Sequence, residues 1–475
     1  MRVRAHIRGL LIGGIMFFLP MVGKTQWADS LLLNTGSIVS VASRSFQPLW
    51  VESNRFGTIS ENGKDITLYL GAKNKHEIRV GERSIALQYG INLINNNNFS
   101  HTTIQQGYVK VRYKSLEFRA GRYEEILGDV DPLLSTGSLG ISGNALPIPK
   151  IGFALTEYTP VPFTNGWLYF KGVFSHGWME SNRYMKRTLL HEKSLYGRLG
   201  KGVLSVYGGA QHFALWGGER DDFKLDRSFR GFMDVLLVRE ANDGSLDEEI
   251  YPNKRPNKAG DQRGLLEFGL DVETEALQLH FYHQTPFESG KGIDFRNQDR
   301  LAGLSIAPKK HRWLDRVLLE FIHTKQMEAF DDRERQSYYE NGVYTSGWTY
   351  HNRIIGTPLF MNRFRGANFL DIEPSIPGGN QNMVNNRVVG GHLGMVHRYS
   401  RQVRGKTLLS FTRNFGTHNT FISTAQNQFY SLHEVSFCFR KSPKLRFSGA
   451  VALDTGDFYN NVGGLLGVNY IITSN

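Results

Sequence analysis

From Ile85 to Leu93 every second residue is apolar: Ile85, Leu87, Tyr89, Ile91 and Leu93 share one face, and Ala86, Gln88, Gly90 and Asn92 share the other. A period of two is the signature of a pleated strand, whose side chains alternate between faces. The pattern recurs along the chain. Ile66, Leu68 and Leu70 share a face. Tyr108–Tyr113 and Leu116–Ala120 read as a hairpin about Lys114 and Ser115, and Leu195–Leu199 and Val203–Ala210 as another about Gly200, Lys201 and Gly202. Leu265–Val272 pairs in the same way with Leu277–His283, and Leu465–Ile472 reads as a closing strand. Mean hydropathy is −0.35. After the N-terminus no run approaches the ~20 apolar residues that a spanning helix needs. Alternating strands average out in hydropathy, so a membrane barrel stays open where a helical membrane protein does not.

The N-terminus reads as an export signal. Arg2, Arg4 and Arg8 precede the short apolar run Leu10–Val22, followed by small and polar residues, and cleavage is expected near Gly23 to Trp27. Residues 1–26 are therefore assigned to a signal peptide, and 27–64, turn-rich and Pro-interrupted, to an N-terminal periplasmic or plug-like segment. Residues 65–475 are assigned to the barrel, with an irregular insert at 124–151. Short turns alternate with long polar loops at 221–230, 240–261, 328–352 and 356–386, which is the outer-membrane pattern of short periplasmic turns and long outer loops. At roughly 25 residues per strand, the expectation is an all-β, antiparallel transmembrane barrel of about 16–18 strands. A propeller would show a repeat every ~40–50 residues, and none is found.

The insert Leu133–Ile151 (LLSTGSLGISGNALPIPKI) is the least strand-like stretch. Pro147 and Pro149 remove two backbone donors, and Gly137, Gly140 and Gly143 loosen the backbone. Ser135, Ser138, Ser142 and Asn144 bring side chains that bond nearby backbone. Its seven Leu and Ile residues are too many for disorder. The expectation is an ordered insert that lies inside or across the barrel and blocks conductance.

These residues also carry a resemblance. Phe46–Gly57 (FQPLWVESNRFG), Gln105–Arg122, Ser135–Ile151 with its NALPIPKI phrase, Ser175–Trp178 (SHGW), Leu190–Gly200 and Gln211–Gly218 together resemble the Wzi family of capsule assembly proteins, in its Bacteroidetes-type branch. The resemblance covers roughly residues 45 to 220. It implies an outer-membrane barrel with a periplasmic helical part and a lectin-like role in attaching capsular or exopolysaccharide to the cell surface. The family-motif residues of the insert are Ser135, Gly137, Ser138, Ser142, Asn144, Pro147 and Pro149.

Formal charge is +12, and loss of Arg2, Arg4, Arg8 and Lys24 with the signal lowers it. Export argues against nucleic acid as the partner of a basic excess. Anionic polysaccharide, or outer-membrane lipid and lipopolysaccharide, is the partner class that remains. Trp348 stands with Tyr338, Tyr339, Tyr344 and Tyr350 in an expected outer loop, among Asn341, Thr345, Ser346 and Asn352. Aromatic faces beside amides and hydroxyls suit carbohydrate, so these five rings are the polysaccharide-binding candidates. A self-packed loop is the alternative, and the search would then move to Gly356–Asn386. Trp167, Trp178 and Trp216 read as interface girdle.

Glu124, Glu125, Asp129 and Asp131 supply enough carboxylates for a glycosidase pair, but pairing with Arg112, Arg119 and Arg122 on strand faces is the plainer role. His280 and His283 fall on opposite strand faces and cannot form a metal pair there. No phosphate loop, dinucleotide fingerprint or hydrolase elbow is present. No catalytic residue, metal or cofactor is expected. The one cysteine, Cys438, alternates with Phe437 and Phe439 and reads as packing. The reading is a non-enzymatic outer-membrane barrel that binds or anchors surface polysaccharide. The alternatives are a porin-like channel and, less plausibly, a membrane-embedded hydrolase.

Overall fold

A computed structural model describes residues 30–473, apart from 222, 242–257, 290–291, 295, 311–312, 328–336, 376–381 and 419–421. The expected signal peptide, 1–26, lies outside the described residues.

Eighteen strands form one closed antiparallel barrel. In chain order they are Leu32–Phe46, Asn62–Val80, Arg83–Asn96, His101–Tyr113, Leu116–Arg122, Lys150–Pro160, Leu168–Trp178, Leu189–Gly200, Leu204–Trp216, Asp261–Glu273, Leu277–Phe287, Arg300–Pro308, Leu314–His323, Val388–Arg398, Val403–Asn414, Gln426–Phe439, Ser442–Gly456 and Asn461–Thr473. Each pairs with its neighbours in sequence, and the first closes on the last, from Leu32 opposite Thr473 to Ala42 opposite Gly463. Closure leaves no unpaired edge, the condition for strands to cross lipid.

The strand Leu314–His323 shows how alternation sorts the two faces. Leu319 and Phe321 point outward, 51% and 46% exposed, while Leu318, Glu320 and Ile322 point inward and are buried. The same outward belt includes Leu70, Phe153, Phe174, Leu195, Phe268, Phe411, Val451 and Leu466, all exposed. In water each such side chain would forgo on the order of 1.5–3 kcal/mol of burial. In a lipid bilayer it does not, so the belt marks the membrane. Cys438 faces inward between the outward Phe437 and Phe439, as alternation requires.

Both ends of the described chain lie at the barrel end with short turns, such as 81–82, 114–115 and 440–441. The opposite end carries the long connections 123–149, 217–260 and 324–387. For an exported chain the first is the periplasmic end and the second the outer end. Two outer links, 97–100 and 457–460, are short, which lowers the rim locally.

The first strand corrects the expected boundary at residue 65. Leu32–Phe46 is a wall strand that pairs on both sides, so the barrel starts inside the stretch 27–64. Its alternation is masked because Asn34 and Ser40 face the lumen while Thr35 and Ser37 replace apolar residues on the outward face that Val39 and Val41 share. Only the part after Phe46 fills the lumen, through the one-turn helix Leu49–Glu52. The main apolar core is inside the barrel, where Leu49, Trp50, Leu134, Leu139, Ile141, Phe213, Tyr282, Trp348 and Phe360 pack together.

Candidate functional site: a filled lumen and an outward cleft

The connection 123–149 leaves the wall at Arg122 and returns at Lys150, and between these points it crosses the lumen. Its irregular backbone cannot pair as a strand, so inward wall side chains satisfy it instead. The Glu320 carboxylate accepts the Ser135 hydroxyl at 2.6 Å, the Thr136 amide at 2.7 Å and the Tyr282 hydroxyl. Gln284 Oε1 accepts the Leu139 amide at 3.0 Å, and His392 Nε2 donates to the Leu134 carbonyl at 2.7 Å. Asp131 takes Arg316 at 3.0 Å, Asp129 takes Lys171, and Glu125 takes Arg119 and Lys150. Burial by itself would push the Glu125 carboxyl up, but the two cations outweigh it and hold it down at about 2. Two glycines permit the close fit. Gly137 has φ +100°, and a Cβ at Gly140 would lie 2.8 Å from the Phe213 ring.

The acids raised as a hydrolytic pair are thus tied down. Of the arginines expected to hold them, Arg119 does so, whereas Arg112 pairs with Glu117 and Arg122 donates to the Tyr350 hydroxyl at 2.8 Å. Glu124 accepts from Gln105 at 2.8 Å. His280 faces inward onto Asp271 and the Asp129 carbonyl, while His283 stacks on the outward Phe268, so the two do not meet.

A second layer, within 337–362, caps the insert from the outer side. Here the aromatic candidates are found, and the structure corrects their expected setting. Tyr338, Tyr339, Tyr344, Trp348 and Tyr350 are all buried, none more than 4% exposed. Trp348 Nε1 donates to the Gly140 carbonyl at 2.8 Å, and the Tyr339 hydroxyl to the Leu139 carbonyl at 2.6 Å. The Tyr344 hydroxyl reaches the Gly217 carbonyl at 3.0 Å and the Tyr338 hydroxyl reaches Asp299 at 2.8 Å. Their polar tips satisfy backbone and carboxylates that irregular segments leave open, and their faces are used in packing. No face is free to stack on a sugar. The insert motif is spent in the same way: Ser142 donates to the Gly356 carbonyl at 2.7 Å and Asn144 to the Ile354 carbonyl at 2.9 Å.

A cleft of about 500 Å³ lies between this filling and the wall. It lies where the short link 97–100 lowers the rim. One side is made by Ser60, Asn62, Asn96, Asn97, His101 and Thr103, at the outer ends of three adjacent strands. The other is made by Leu146 of the insert with His351, Arg353 and Phe364. Asn97 Oδ1 accepts from Ser60 at 2.5 Å and Asn62 at 3.1 Å, and Thr103 bonds His101 at 2.7 Å, so the amide wall is pre-ordered. Arg353 is fixed by Glu52 at 2.8 Å and Glu61 at 3.4 Å. Burial, with Glu52 nearby, raises the Glu61 carboxyl to about 7. Amides, hydroxyls, cations and the 39% exposed Phe364 ring are groups that bind sugar hydroxyls, anionic substituents and sugar faces. Among the described residues no cluster of His, Cys, Asp and Glu fit for a metal ion is found. The sequence reading missed this cleft. Asn95–Asn98 carry no signal beyond that of a turn, and His351, Arg353 and Phe364 opposite them lie more than 250 positions away. Phe364 does fall within the fallback stretch Gly356–Asn386.

The chain matches the family described as Capsule assembly protein Wzi over residues 45–362. Among solved structures it is similar to Wzi of Escherichia coli, described as an outer membrane protein involved in group 1 capsule assembly and a carbohydrate-binding β-barrel. The TM-score is 0.58 at 14% identity, covering 94% of this chain and 84% of that one. It is also similar to OccK2 (OpdF) of Pseudomonas aeruginosa in complex with glucuronate, with TM-score 0.50 and 8% identity over 94% and 99% of the two chains. No curated protein sequence matches it.

Proposed function

The chain belongs to the Wzi family of capsule assembly proteins, matched over residues 45–362, and from that premise we propose that it holds capsular or extracellular polysaccharide at the outer face of the outer membrane by non-covalent binding. The observation that carries this reading is the contrast within one barrel: the lumen is filled, and a polar cleft opens outward at the rim. A diffusion channel requires the reverse. The Escherichia coli relative is a carbohydrate-binding barrel with the same architecture, which supports glycan as the ligand here.

Polysaccharide contact is assigned to the cleft, with His101, Thr103, His351 and Phe364 as exposed or half-exposed contact groups, and Asn97 and Arg353 as held ones. The buried rings Tyr338, Tyr339, Tyr344, Trp348 and Tyr350 keep the filling in place and shape one wall. The role is taken as non-enzymatic: Glu125, Asp129 and Asp131 of the insert are each held by neighbouring cations, and Glu124 accepts from the Gln105 amide. Outer-leaflet lipid surrounds the barrel and is its second partner.

The test is capture of extracted surface polysaccharide by the purified, folded protein, together with retention of polysaccharide on cells. The combined variant His101→Ala, Thr103→Ala, Phe364→Ala should bind at least about tenfold more weakly, a loss of ~1.4 kcal/mol or more. Its migration on unheated gels should match the wild type. Failure of the wild-type protein to capture polysaccharide would refute the function. Unchanged capture by the triple variant would refute the cleft as its site.

A further inference from the structure

One feature of the outer rim is used neither by the filling nor by the cleft. On three adjacent strands the outward positions near the outer end are polar: His176, His191 and His212, with Lys193 beside them. Their neighbours Ser175, Glu192, Gln211 and Phe213 face inward into the filling, so alternation turns these four out of the barrel. His176 stands directly opposite His191, and Lys193 opposite His212. Polar groups on a lipid-facing wall are costly. Here the helix Phe229–Leu236, from the connection 217–260, lies over them on the outside of the barrel. Phe232 packs 5.4 Å from the His191 ring, 6.0 Å from His176 and 5.7 Å from Trp216. Val235 is 3% exposed, Lys193 donates to the Leu236 carbonyl, and Gln262 donates to the Val235 carbonyl at 3.3 Å.

With Phe232 and Val235 turned to the wall, a second apolar stripe remains. Phe229, Met233 and Leu237 recur every four residues along one side. Phe229 is 78% exposed and Leu237 50%. Just below on the same strands Phe174 and Leu195 are exposed, part of the outward belt. The stripe therefore continues the membrane surface of the barrel upward, to the depth where acyl chains meet headgroups. The arginines Arg227, Arg230 and Arg239 are exposed along the same segment, Arg239 in a solvent-facing ion pair with Asp234 at 3.5 Å that leaves most of its donors open. An apolar stripe edged by cations, lying against an existing lipid-facing wall, is the construction of an interfacial helix.

We propose that the helix Phe229–Leu236 is a docking site for a phosphorylated glycolipid of the outer leaflet. Phe229, Met233 and Leu237 enter the acyl region, and Arg227, Arg230 and Arg239 hold the headgroup phosphates. The lipid then anchors the barrel at fixed depth and rotation beneath the cleft. Arginine suits this role because its planar fork makes paired hydrogen bonds to phosphate oxygens.

The experiment uses the full chain, purified and folded in neutral detergent. Native mass spectrometry counts bound lipid during titration with bis-phosphorylated lipid A, its dephosphorylated form and phosphatidylcholine. No polysaccharide is present, so the outcome is independent of the proposed function. The wild-type protein should retain the bis-phosphorylated lipid about tenfold more strongly than the dephosphorylated form. The variant Arg227→Gln, Arg230→Gln, Arg239→Gln should lose that preference. The variant Phe229→Ser, Leu237→Ser should retain both lipid A forms more weakly. Gel migration before and after heating checks that every variant is folded. Equal retention of the two lipid A forms by the wild-type protein would overturn the proposal, as would arginine variants that keep the preference. Displacement of the lipid by inorganic phosphate at matched concentration would also overturn it, by showing an anion site without a lipid site.

Discussion

At the scale of single residues the lumen is held by a few inward polar side chains, each answering several groups of the insert. Glu320 is the most connected of them, with three donors on one carboxylate. Glu320→Ala would leave buried donors unpaired, at about 1–3 kcal/mol for each group left unsatisfied. The expected outcome is a barrel that still migrates as a folded species but melts markedly earlier by circular dichroism. An unchanged melting curve would mean that water replaces the carboxylate at no cost. Gly140→Val tests packing instead of bonding. Its first added carbon already lies 2.8 Å from Phe213 and 2.9 Å from Gln211 Oε1, and overpacking of this kind costs about 1–3 kcal/mol.

Two carboxyls, Glu125 within the filling and Glu61 where the filling meets the cleft, respond to pH in opposite senses. Glu125 falls from an ordinary 4.5 to about 2, because Lys150 and Arg119 outweigh its burial. Its stabilising contribution is present above about 4.5 and is lost as pH drops towards 2. Glu61 rises from 4.5 to about 7 through burial beside Glu52. Its contribution is present below about 4.5 and is lost as pH climbs through 7. Glu61→Gln should therefore flatten the fall in stability between pH 4.5 and 7 and leave the acid limb untouched. Urea midpoints measured across that range decide it, and an unflattened neutral limb would count against the Glu61 shift.

At the scale of elements, the insert and the layer 337–362 act as one body, because each completes the other's backbone. Trp348 donates to Gly140, Ser142 bonds Ile355 and Gly356, and Thr357 donates to the Thr136 carbonyl at 3.0 Å. A combined Tyr344→Ala, Trp348→Ala, Tyr350→Ala variant should accordingly act through the filling: each truncation of a buried aromatic costs about 3–5 kcal/mol. The intact protein should show no large, steady conductance in planar bilayers. The triple variant, or deletion of the insert, should either conduct or fail to fold. A large open conductance from the intact chain would contradict the filled lumen. The helix Phe229–Leu236 is the element that the sequence concealed best, lying mostly between two stretches read as polar loops, 221–230 and 240–261. Its eight residues make little more than two turns, too few for a helical period to stand out from the loop around it, although its apolar side chains fall on one side.

At the scale of the whole molecule, the outward apolar belt and the closed strand order call for a bilayer. The protein should fractionate with the outer membrane and shift in gel mobility on heating, as closed barrels do when they unfold. Recovery in the soluble periplasmic fraction would refute this. A strand number of about 16–18, the antiparallel order, the position of the insert and the family were all legible in the sequence. Each rests on a local signal: a period of two, short turns against long loops, prolines within an apolar stretch, and a phrase such as NALPIPKI. The first strand escaped that reading because its faces are mixed: Thr35 and Ser37 are polar on the outward face, and Ile38 is apolar on the inward one.

What the sequence by itself could not decide was which side chains remain available. Tyr338, Tyr339, Tyr344, Trp348 and Tyr350 look like a binding surface in one dimension, yet they become the interior once the insert passes beneath them. Asn96, Asn97 and His101 look like a turn, yet they become one wall of a cleft once His351 and Phe364 arrive opposite. Composition and period are properties of neighbours along the chain, and so the sequence determines them. Exposure within the lumen depends on partners two to three hundred residues away, and only barrel closure brings those together.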